Sequence, residues 1–226
     1  MATLLHIDTA GEKAMIAFTE NGAILASKEN LLSNTHAAFV QAGIQELRDT
    51  YPINLGSIDA IVVTMGPGSY TGLRVGLASA KGLAYALEKP LIGLSTLVLL
   101  ANAAKRSPEF SGLTNLQIFT MIDAKRMEVF GAVFNQNQAI TLKEQAIELS
   151  ADYLEQLIKQ GPVLCIGNGA AKVKTLLTHP SLYFSDLSYN LMDLIELAEA
   201  KHKVQNFEDI AYSSPAYLKE FYQKKP

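Results

Sequence analysis

Apolar residues recur with two different periods along the chain, and the changes between these periods predict its elements. A short apolar run at 4–8 ends in Asp8, and two further strand-like runs follow at 13–19 and 23–27. The pair Asn21-Gly22 between those runs is typical of a hairpin turn, because both residues tolerate a positive φ. The sequence therefore predicts three antiparallel strands at the start of the chain.

Helix-period segments alternate with short apolar runs over the next part of the chain. Apolar positions at helical spacing predict the helices, and Asn34 or Thr35 can cap the first of them. A glycine-rich loop precedes the second helix. The predicted elements are a helix over 36–49, a strand over 58–65, a helix over 71–88, a strand over 91–94 and a helix that ends near Ala104.

The second half of the chain repeats this order. A strand over 116–123 ends in Asp123, as the run at 4–8 ends in Asp8, and a hairpin follows. Two tandem β-β-β-α-β-α units predict an α/β protein of the actin-like, ribonuclease H-like class with two lobes. We expect an N-terminal lobe over 1–105 and a C-terminal lobe over 106–226, with the tail from about residue 205 packing back on the first lobe.

Composition and charge narrow the functional classes. The 226 residues carry a formal net charge of −3, so the chain lacks the basic surface that tight binding of nucleic acid by one protein requires. The single cysteine, Cys165, excludes an intrachain disulfide and lies in an apolar run typical of buried residues. The longest apolar stretch, 91–101, is too short to span a bilayer, and the chain begins with a strand-like run. We therefore expect a cytoplasmic protein without a membrane partner.

The sequence contains no recognisable catalytic constellation. No two of the four histidines are four residues apart, and the metalloprotease pattern His-Glu-x-x-His does not occur. Ser69 lies in Gly-Ser-Tyr-Thr-Gly, which differs from the Gly-x-Ser-x-Gly turn of hydrolases. We predict no catalytic residue, and no metal or cofactor bound by this chain alone.

The glycine-rich loop favours two interpretations. In the first, Thr71 caps a helix whose free amide groups hold an anion. A phosphate-binding Walker loop has lysine after its last glycine, but Leu73 follows Gly72 here, and Glu12 would repel a phosphate. The strand-end Asp8 and Asp123 are accordingly interpreted as structural. The residues of the minor nucleotide or anion interpretation are Asp8, Thr9, Gly68 and Ser69.

In the second interpretation the loop leads into a helix with an unusually close contact. Gly72, Gly76, Ala80 and Ala84 recur every four residues and therefore lie on one face. Glycine inside a helix costs about 1 kcal/mol relative to alanine, so a close contact should offset it. The contact could be with the protein's own sheet or with a second chain, and the residues alone leave both alternatives open.

The segment from Gly66 to Gly76, with Ala80-Lys81-Gly82-Leu83-Ala84 after it, resembles the signature of the TsaB family, also called YeaZ. Tyr70 and Lys125 stand where phenylalanine and arginine are common in that family. The resemblance covers the whole chain. The supporting segments are Ile7-Asp8-Thr9, His36, Asp59-Ala60-Ile61, Asp123-Ala124-Lys125-Arg126-Met127-Glu128-Val129-Phe130, Gly167-Asn168-Gly169-Ala170 and Pro215-Ala216-Tyr217-Leu218.

The resemblance implies a role in tRNA modification. TsaB proteins are similar to actin-like ATPases and are paralogues of TsaD. With TsaD and TsaE, and indirectly with TsaC, they place a threonylcarbamoyl group on adenosine 37 of tRNAs that read codons beginning with A. The resemblance further implies that this chain is not an enzyme, that ATP and metal belong to the TsaD subunit, and that tRNA is reached only through the complex.

The resemblance also implies an interface. TsaB binds TsaD, or a second copy of itself as a homodimer, through two helices that correspond to 36–49 and 71–88. Two alternatives stay open, namely an independent actin-like nucleotide hydrolase or kinase and a glycoprotease-like metallopeptidase. The expected interface residues are His36, Phe39, Val40, Gly43, Leu47, Thr71, Gly72, Arg74, Val75, Gly76, Ser79, Ala80 and Leu83.

Overall fold

The computed structural model describes residues 2–31, 36–51 and 53–219, and these form two compact units. The first consists of Met1–Thr96 and Asn190–Ala216, and the second of Leu97–Tyr189 and Tyr217–Pro226. The expected boundary at residue 105 therefore lies nine residues beyond the observed one. The chain also returns to its first unit after completing most of the second.

The first unit contains a five-stranded sheet in the order β3-β2-β1-β4-β5. Strands β1, β2 and β3 pair antiparallel, as predicted, and β1, β4 and β5 pair parallel. The predicted hairpin turn is present, since Asn21 and Gly22 have φ values of 52° and 78°. The strands are β1 (Thr3–Asp8), β2 (Ala14–Glu20), β3 (Ala23–Asn30), β4 (Ala60–Gly66) and β5 (Leu91–Ser95).

Helices cover both faces of this sheet. Helices α1 (His36–Thr50) and α2 (Tyr70–Leu87) contact each other, and their buried residues share one core cluster with Leu5 and Ile16. Helix α7 (Leu191–Lys203) contacts β2 and β5, and its buried residues lie outside that cluster. Because side chains alternate between the faces of a strand, we assign α7 to the opposite face. The proposed caps of α1, Asn34 and Thr35, lie outside the described residues.

The last turn of α7 and the segment after it follow the edge of the same sheet. Lys201 donates a hydrogen bond from Nζ to the carbonyl of Gly93 at 2.7 Å, and the Glu208 amide donates to the carbonyl of Leu91 at 2.8 Å. Further along, Lys81 of α2 donates to the carbonyl of Ser213 at 3.0 Å. The part of the tail up to Ala216 thus packs with the first unit.

The second unit repeats the same topology. Its sheet has the order β10-β9-β6-β7-β8, which read backwards matches the order of the first sheet element for element. This agreement confirms the tandem units. The short strand β10, which carries two aromatic residues in four positions, was not predicted. The strands are β6 (Gln117–Asp123), β7 (Glu128–Asn135), β8 (Ile140–Glu148), β9 (Val163–Ile166) and β10 (Leu182–Ser185).

The helices of the second unit come from two parts of the chain. Helices α5 (Ala151–Ile158) and α6 (Ala170–Leu176) pack on one side of its sheet, around Phe119 and Cys165. Helix α3 (Thr96–Ala104) belongs to the other core cluster, with Ile118 and Phe134, although it follows the last strand of the first sheet. The expected link at 106–115 contains a short helix, α4 (Pro108–Gly112). Within the described ranges, no helix combines the length and the apolar character needed to cross a membrane.

Candidate functional site

The glycine-rich loop packs directly against the backbone that follows β1. The Ser69 amide donates to the carbonyl of Ala10 at 2.7 Å, and the Thr9 hydroxyl donates to the carbonyl of Gly72 at 2.7 Å. A Cβ atom added at Gly68 would lie 2.3 Å from the Ala10 carbonyl oxygen, and one added at Gly72 would lie 2.0 Å from that of Thr9. These two positions require glycine because only a residue without Cβ permits such a close approach.

This packing occupies two of the amide donors that an anion at this loop would need. The Ser69 amide is bonded to Ala10, and the Gly72 amide donates to the Ser69 hydroxyl oxygen at 3.2 Å. Ser69, not Thr71, is therefore the residue that caps α2, and the prediction for Thr71 was wrong. Asp8 is fully buried and accepts a hydrogen bond from the Ala10 amide at 2.9 Å. The structure thus brings the four candidate anion residues together around their own backbone, which favours the structural interpretation.

The predicted stripe of small residues faces the protein's own sheet. Gly72, Gly76, Ala80 and Ala84 are all buried. A Cβ added at Gly76 would lie 2.3 Å from the Thr9 hydroxyl oxygen and 3.7 Å from a Val63 methyl group. Gly72, Gly76 and Ala80 are therefore covered by the chain itself, and Gly72 and Gly76 pack against Thr9, directly after β1. The expectation that they form an interface is corrected in favour of internal packing.

The residues expected on α1 are buried in the same way. Phe39, Val40, Gly43 and Leu47 point into the first unit, and Phe39, Val40 and Leu47 belong to its core cluster. A Cβ added at Gly43 would lie 2.8 Å from the Ile16 side chain, so this glycine allows α1 to approach the sheet. These four residues hold α1 in place and do not present a surface. His36 begins α1, but its side chain lies outside the described part of the structure.

The remaining expected residues of α2 do reach the surface. Thr71 and Arg74 are exposed, and Val75, Ser79 and Leu83 are half-buried. The Arg74 guanidinium lies 4.0 Å from the centre of the Tyr70 ring, a cation–π contact that orders the start of this surface. Thr71 and Arg74 therefore lie on the side of α2 that faces away from the sheet, whereas Val75 and Leu83 also pack against the core cluster of the first unit.

A second series of small residues lies on this outward side and was missed by the sequence analysis. Ala78, Gly82 and Ala86 are exposed at four-residue intervals, and no heavy atom lies within 4 Å of a Cβ added at Gly82. Tyr85 stands beside them with 80% of its surface exposed. The sequence does contain this second series at i, i+4 spacing, but the series Gly72, Gly76, Ala80 and Ala84 is longer and was the one considered.

Helix α1 continues the outward surface of α2, because the two helices contact each other. Its exposed positions carry small, polar and charged side chains, among them Arg48 and Asp49, and the Gln45 side-chain amide donates to the Asp49 carboxylate at 2.7 Å. We call the combined surface the outer α1/α2 face. It consists of Ala38, Gln41, Ala42 and Gln45 on α1 and Thr71, Arg74, Ala78, Gly82, Tyr85 and Ala86 on α2.

The two strand-end carboxylates, which the sequence presented as equivalent, have different environments. Asp8 is buried, whereas Asp123 is exposed and forms a 2.6 Å ion pair with Lys172. The hydrogen bond from Lys172 and the Lys125 amide hold the pKa of Asp123 below its usual value.

Among the residues described here, no group of three or more His, Cys, Asp or Glu side chains could hold a metal ion. Cys165 is buried, as predicted, and burial raises the pKa of its thiol to about 12.

Comparison with protein families and curated sequences identifies relatives of this chain. The family model of TsaD, tRNA N6-adenosine threonylcarbamoyltransferase, matches residues 28–225. The tRNA threonylcarbamoyladenosine biosynthesis protein TsaB of Bacillus subtilis is 30% identical over 179 residues, which cover 77% of this chain and 75% of that protein. The TsaB protein of Escherichia coli is 35% identical over 135 residues, which cover 60% of this chain and 56% of that protein, a little over half its length.

A solved structure supports the same relationship over almost the whole chain. YeaZ from Pseudomonas aeruginosa superposes with a TM-score of 0.76 and 26% identity, covering 96% of this chain and all of that one. Together with the two sheets of matching topology, this similarity confirms the predicted α/β fold class with two lobes.

Proposed function

The chain belongs to the TsaB (YeaZ) family, and on this premise we propose that it is a non-catalytic subunit in the biosynthesis of threonylcarbamoyladenosine in tRNA. It binds the catalytic TsaD subunit and supports transfer of the threonylcarbamoyl group to adenosine 37 of tRNAs that read codons beginning with A. TsaD supplies the ATP and metal, TsaE joins the complex, and TsaC acts upstream. The names of the TsaB and TsaD relatives support a role in the biosynthesis of threonylcarbamoyladenosine in tRNA.

The observation that carries the proposal is the outer α1/α2 face. Ala78, Gly82 and Ala86 present almost no side-chain volume, so a helix of another protein can bring its backbone close to α2. Tyr85 and Arg74 flank this series and provide the large planar groups that are enriched in protein interfaces. A paralogue of similar fold, or a second copy of this chain, can offer a matching pair of helices.

The geometry gives less support to an independent nucleotide hydrolase. Such an enzyme needs free amide groups at the phosphate loop, but the amides of Ser69 and Gly72 are bonded within the chain. The buried Asp8 is likewise bonded to the Ala10 amide. We therefore favour the role of a partner subunit.

The test is a single charged substitution on the outer α1/α2 face. Ala78→Glu should leave the fold intact, because the residue is exposed, and should abolish co-purification with TsaD, because a carboxylate would be buried without a partner. We expect a loss of affinity of about 100-fold or more, since an unpaired buried charge costs about 3 kcal/mol. Ala139→Glu, at an exposed alanine of the second unit, is the matched control and should bind TsaD normally.

Circular dichroism should show that both variants are folded, and an assay of tRNA modification should show activity only with the control. Binding of TsaD by Ala78→Glu as tight as that of the unaltered protein would contradict the proposed interface. Gly76→Leu is unsuitable as a test, because its side chain would collide with Thr9 inside the first unit.

A further inference from the structure

The turn between β6 and β7 places two cationic residues in an unusual backbone conformation. Lys125 and Arg126 have φ values of 65° and 48°, the left-handed region that residues with a Cβ seldom occupy. The turn is closed by hydrogen bonds from the Ala124 amide to the Glu128 carbonyl and from the Glu128 amide to the Lys125 carbonyl, both of 3.2 Å. The hairpin after β2 uses Asn21-Gly22 for its left-handed pair, residues that adopt this conformation more readily.

The same turn is surrounded by further cations. Lys172 forms the ion pair with Asp123 and also donates to the carbonyl of Glu128 at 2.7 Å. Lys219 forms an ion pair with the Glu128 carboxylate. We call the group Lys125, Arg126, Lys172 and Lys219, with Asp123 and Glu128, the cationic turn. Its four cations outweigh its two carboxylates, which leaves a net charge of +2 in a chain whose formal net charge is −3.

Each of the two carboxylates of the cationic turn forms an ion pair with one of its lysines. The hydrogen bond from Lys219 holds the pKa of Glu128 below its usual value, and the positive charges of Arg126 and Lys172 act in the same direction. Within the described ranges, the side chains of Lys125 and Arg126 form no hydrogen bond or ion pair, and both are exposed. Their charges are therefore available to an anionic ligand.

Residues held in strained backbone conformations cluster at functional sites of proteins. Glycine at either position would relieve the strain. Both positions instead carry long cationic side chains, which the hairpin turn exposes. The turn is an open surface, with Met127 beside it also exposed. Such a surface fits an extended chain of phosphates better than a single small anion, which would need an enclosing site.

We propose that the cationic turn contacts phosphate groups of the tRNA backbone while the tRNA is held by the assembled complex. This inference rests on the proposed function, which brings tRNA to the complex. Two exposed cations supply only part of the affinity of the complex for tRNA. This agrees with the negative net charge of the chain, which does not favour tight binding of tRNA by the chain alone. The contacts position the tRNA and do not read its sequence.

The test compares two double variants in complex with TsaD. Lys125→Gly with Arg126→Gly removes both charges and relieves the backbone strain. Lys143→Gln with Lys159→Gln removes two exposed charges elsewhere in the second unit and is the matched control. The probe is an unmodified tRNA transcript, and its affinity is measured by fluorescence anisotropy between about 50 and 200 mM salt.

We expect the glycine variant to be at least as thermally stable as the unaltered protein and to co-purify with TsaD normally. Its affinity for tRNA should fall by about tenfold, and the slope of log affinity against log salt should decrease by about 1.5, as for two lost phosphate contacts. The control should keep the original slope. An unchanged slope in the glycine variant, or an equal decrease in the control, would overturn the proposal.

A second experiment distinguishes the tRNA backbone from a free nucleotide as the ligand, because both carry phosphate groups. Binding of ATP is measured by calorimetry with the same variants. Loss of ATP binding in the glycine variant with an unchanged tRNA slope would assign the turn to a nucleotide and overturn the proposal. Failure of the unaltered chain to co-purify with TsaD would contradict the proposed function, whereas normal co-purification with an unchanged salt slope in the glycine variant would contradict only the tRNA contact.

Discussion

Gly72 lies where the first turn of α2 meets the end of β1, and alanine at this position should weaken that junction. The added Cβ would lie 2.0 Å from the Thr9 carbonyl oxygen, a backbone atom that cannot rotate away. To make room, α2 must move, and the 2.7 Å hydrogen bond from Thr9 to the Gly72 carbonyl is then lost. Alanine would otherwise favour a helix by about 1 kcal/mol, which partly offsets these two effects.

The expected magnitude follows from these opposing contributions. Overpacking of a tight contact costs about 1–3 kcal/mol, and a buried hydrogen bond contributes about 1 kcal/mol. We therefore expect Gly72→Ala to lower the free energy of unfolding by about 2 kcal/mol. The measurement is urea denaturation followed by far-ultraviolet circular dichroism, with the slope m compared between variants.

Gly82→Ala is the matched control in the same helix. No heavy atom lies within 4 Å of the added Cβ, so only the helical preference of alanine acts. This variant should raise the free energy of unfolding by about 0.5–1 kcal/mol. If Gly72→Ala were as stable as the unaltered protein, or changed in the same direction as Gly82→Ala, the close contact with Thr9 would be refuted.

Two further predictions concern buried titratable groups. Burial lowers the pKa of His6 from 6.5 to about 3, so below pH 6.5 the unfolded chain binds a proton that the folded protein does not. Stability should therefore decrease as the pH falls from 6.5 towards 3, by up to about 1.4 kcal/mol per pH unit, and His6→Gln should remove this contribution in urea denaturation at several pH values. Equal pH slopes in both proteins would contradict the assignment. Cys165, whose pKa burial raises to about 12, should react with a disulfide reagent at neutral pH only as fast as the protein unfolds, and rapid reaction of the folded protein would contradict its burial.

The sequence predicted the features that depend on local periodicity. The alternating runs and the Asn21-Gly22 turn gave the first three strands, and the second half repeated them in the same order. Strand β10 was not predicted, because its four residues show no clear alternation of buried and exposed positions. The cap of α2 was misplaced by two residues, since both Ser69 and Thr71 can cap a helix and only the geometry shows that the Ser69 hydroxyl reaches the Gly72 amide.

The orientation of α2 could not be predicted from its small residues alone. The series that contains Gly76 and the series that contains Gly82 have the same spacing, so each could face the sheet. Burial of Leu73 and Leu77 places the first series inwards, because these large side chains require the core. Periodicity identifies the faces of a helix, whereas the volume of the neighbouring side chains decides which face is covered.

Helices α3 and α7 are exchanged between the two repeats, and this limits how short such a protein can be. Each follows the last strand of one repeat and packs on the sheet of the other unit. A half-length chain with the same connections could cover both faces of its sheet only by trading its last helix with a second copy. When two repeats are joined in one chain, each helix packs on the sheet of the other repeat within the same molecule. The effective concentration of the helix is then high, and no association of two chains is needed.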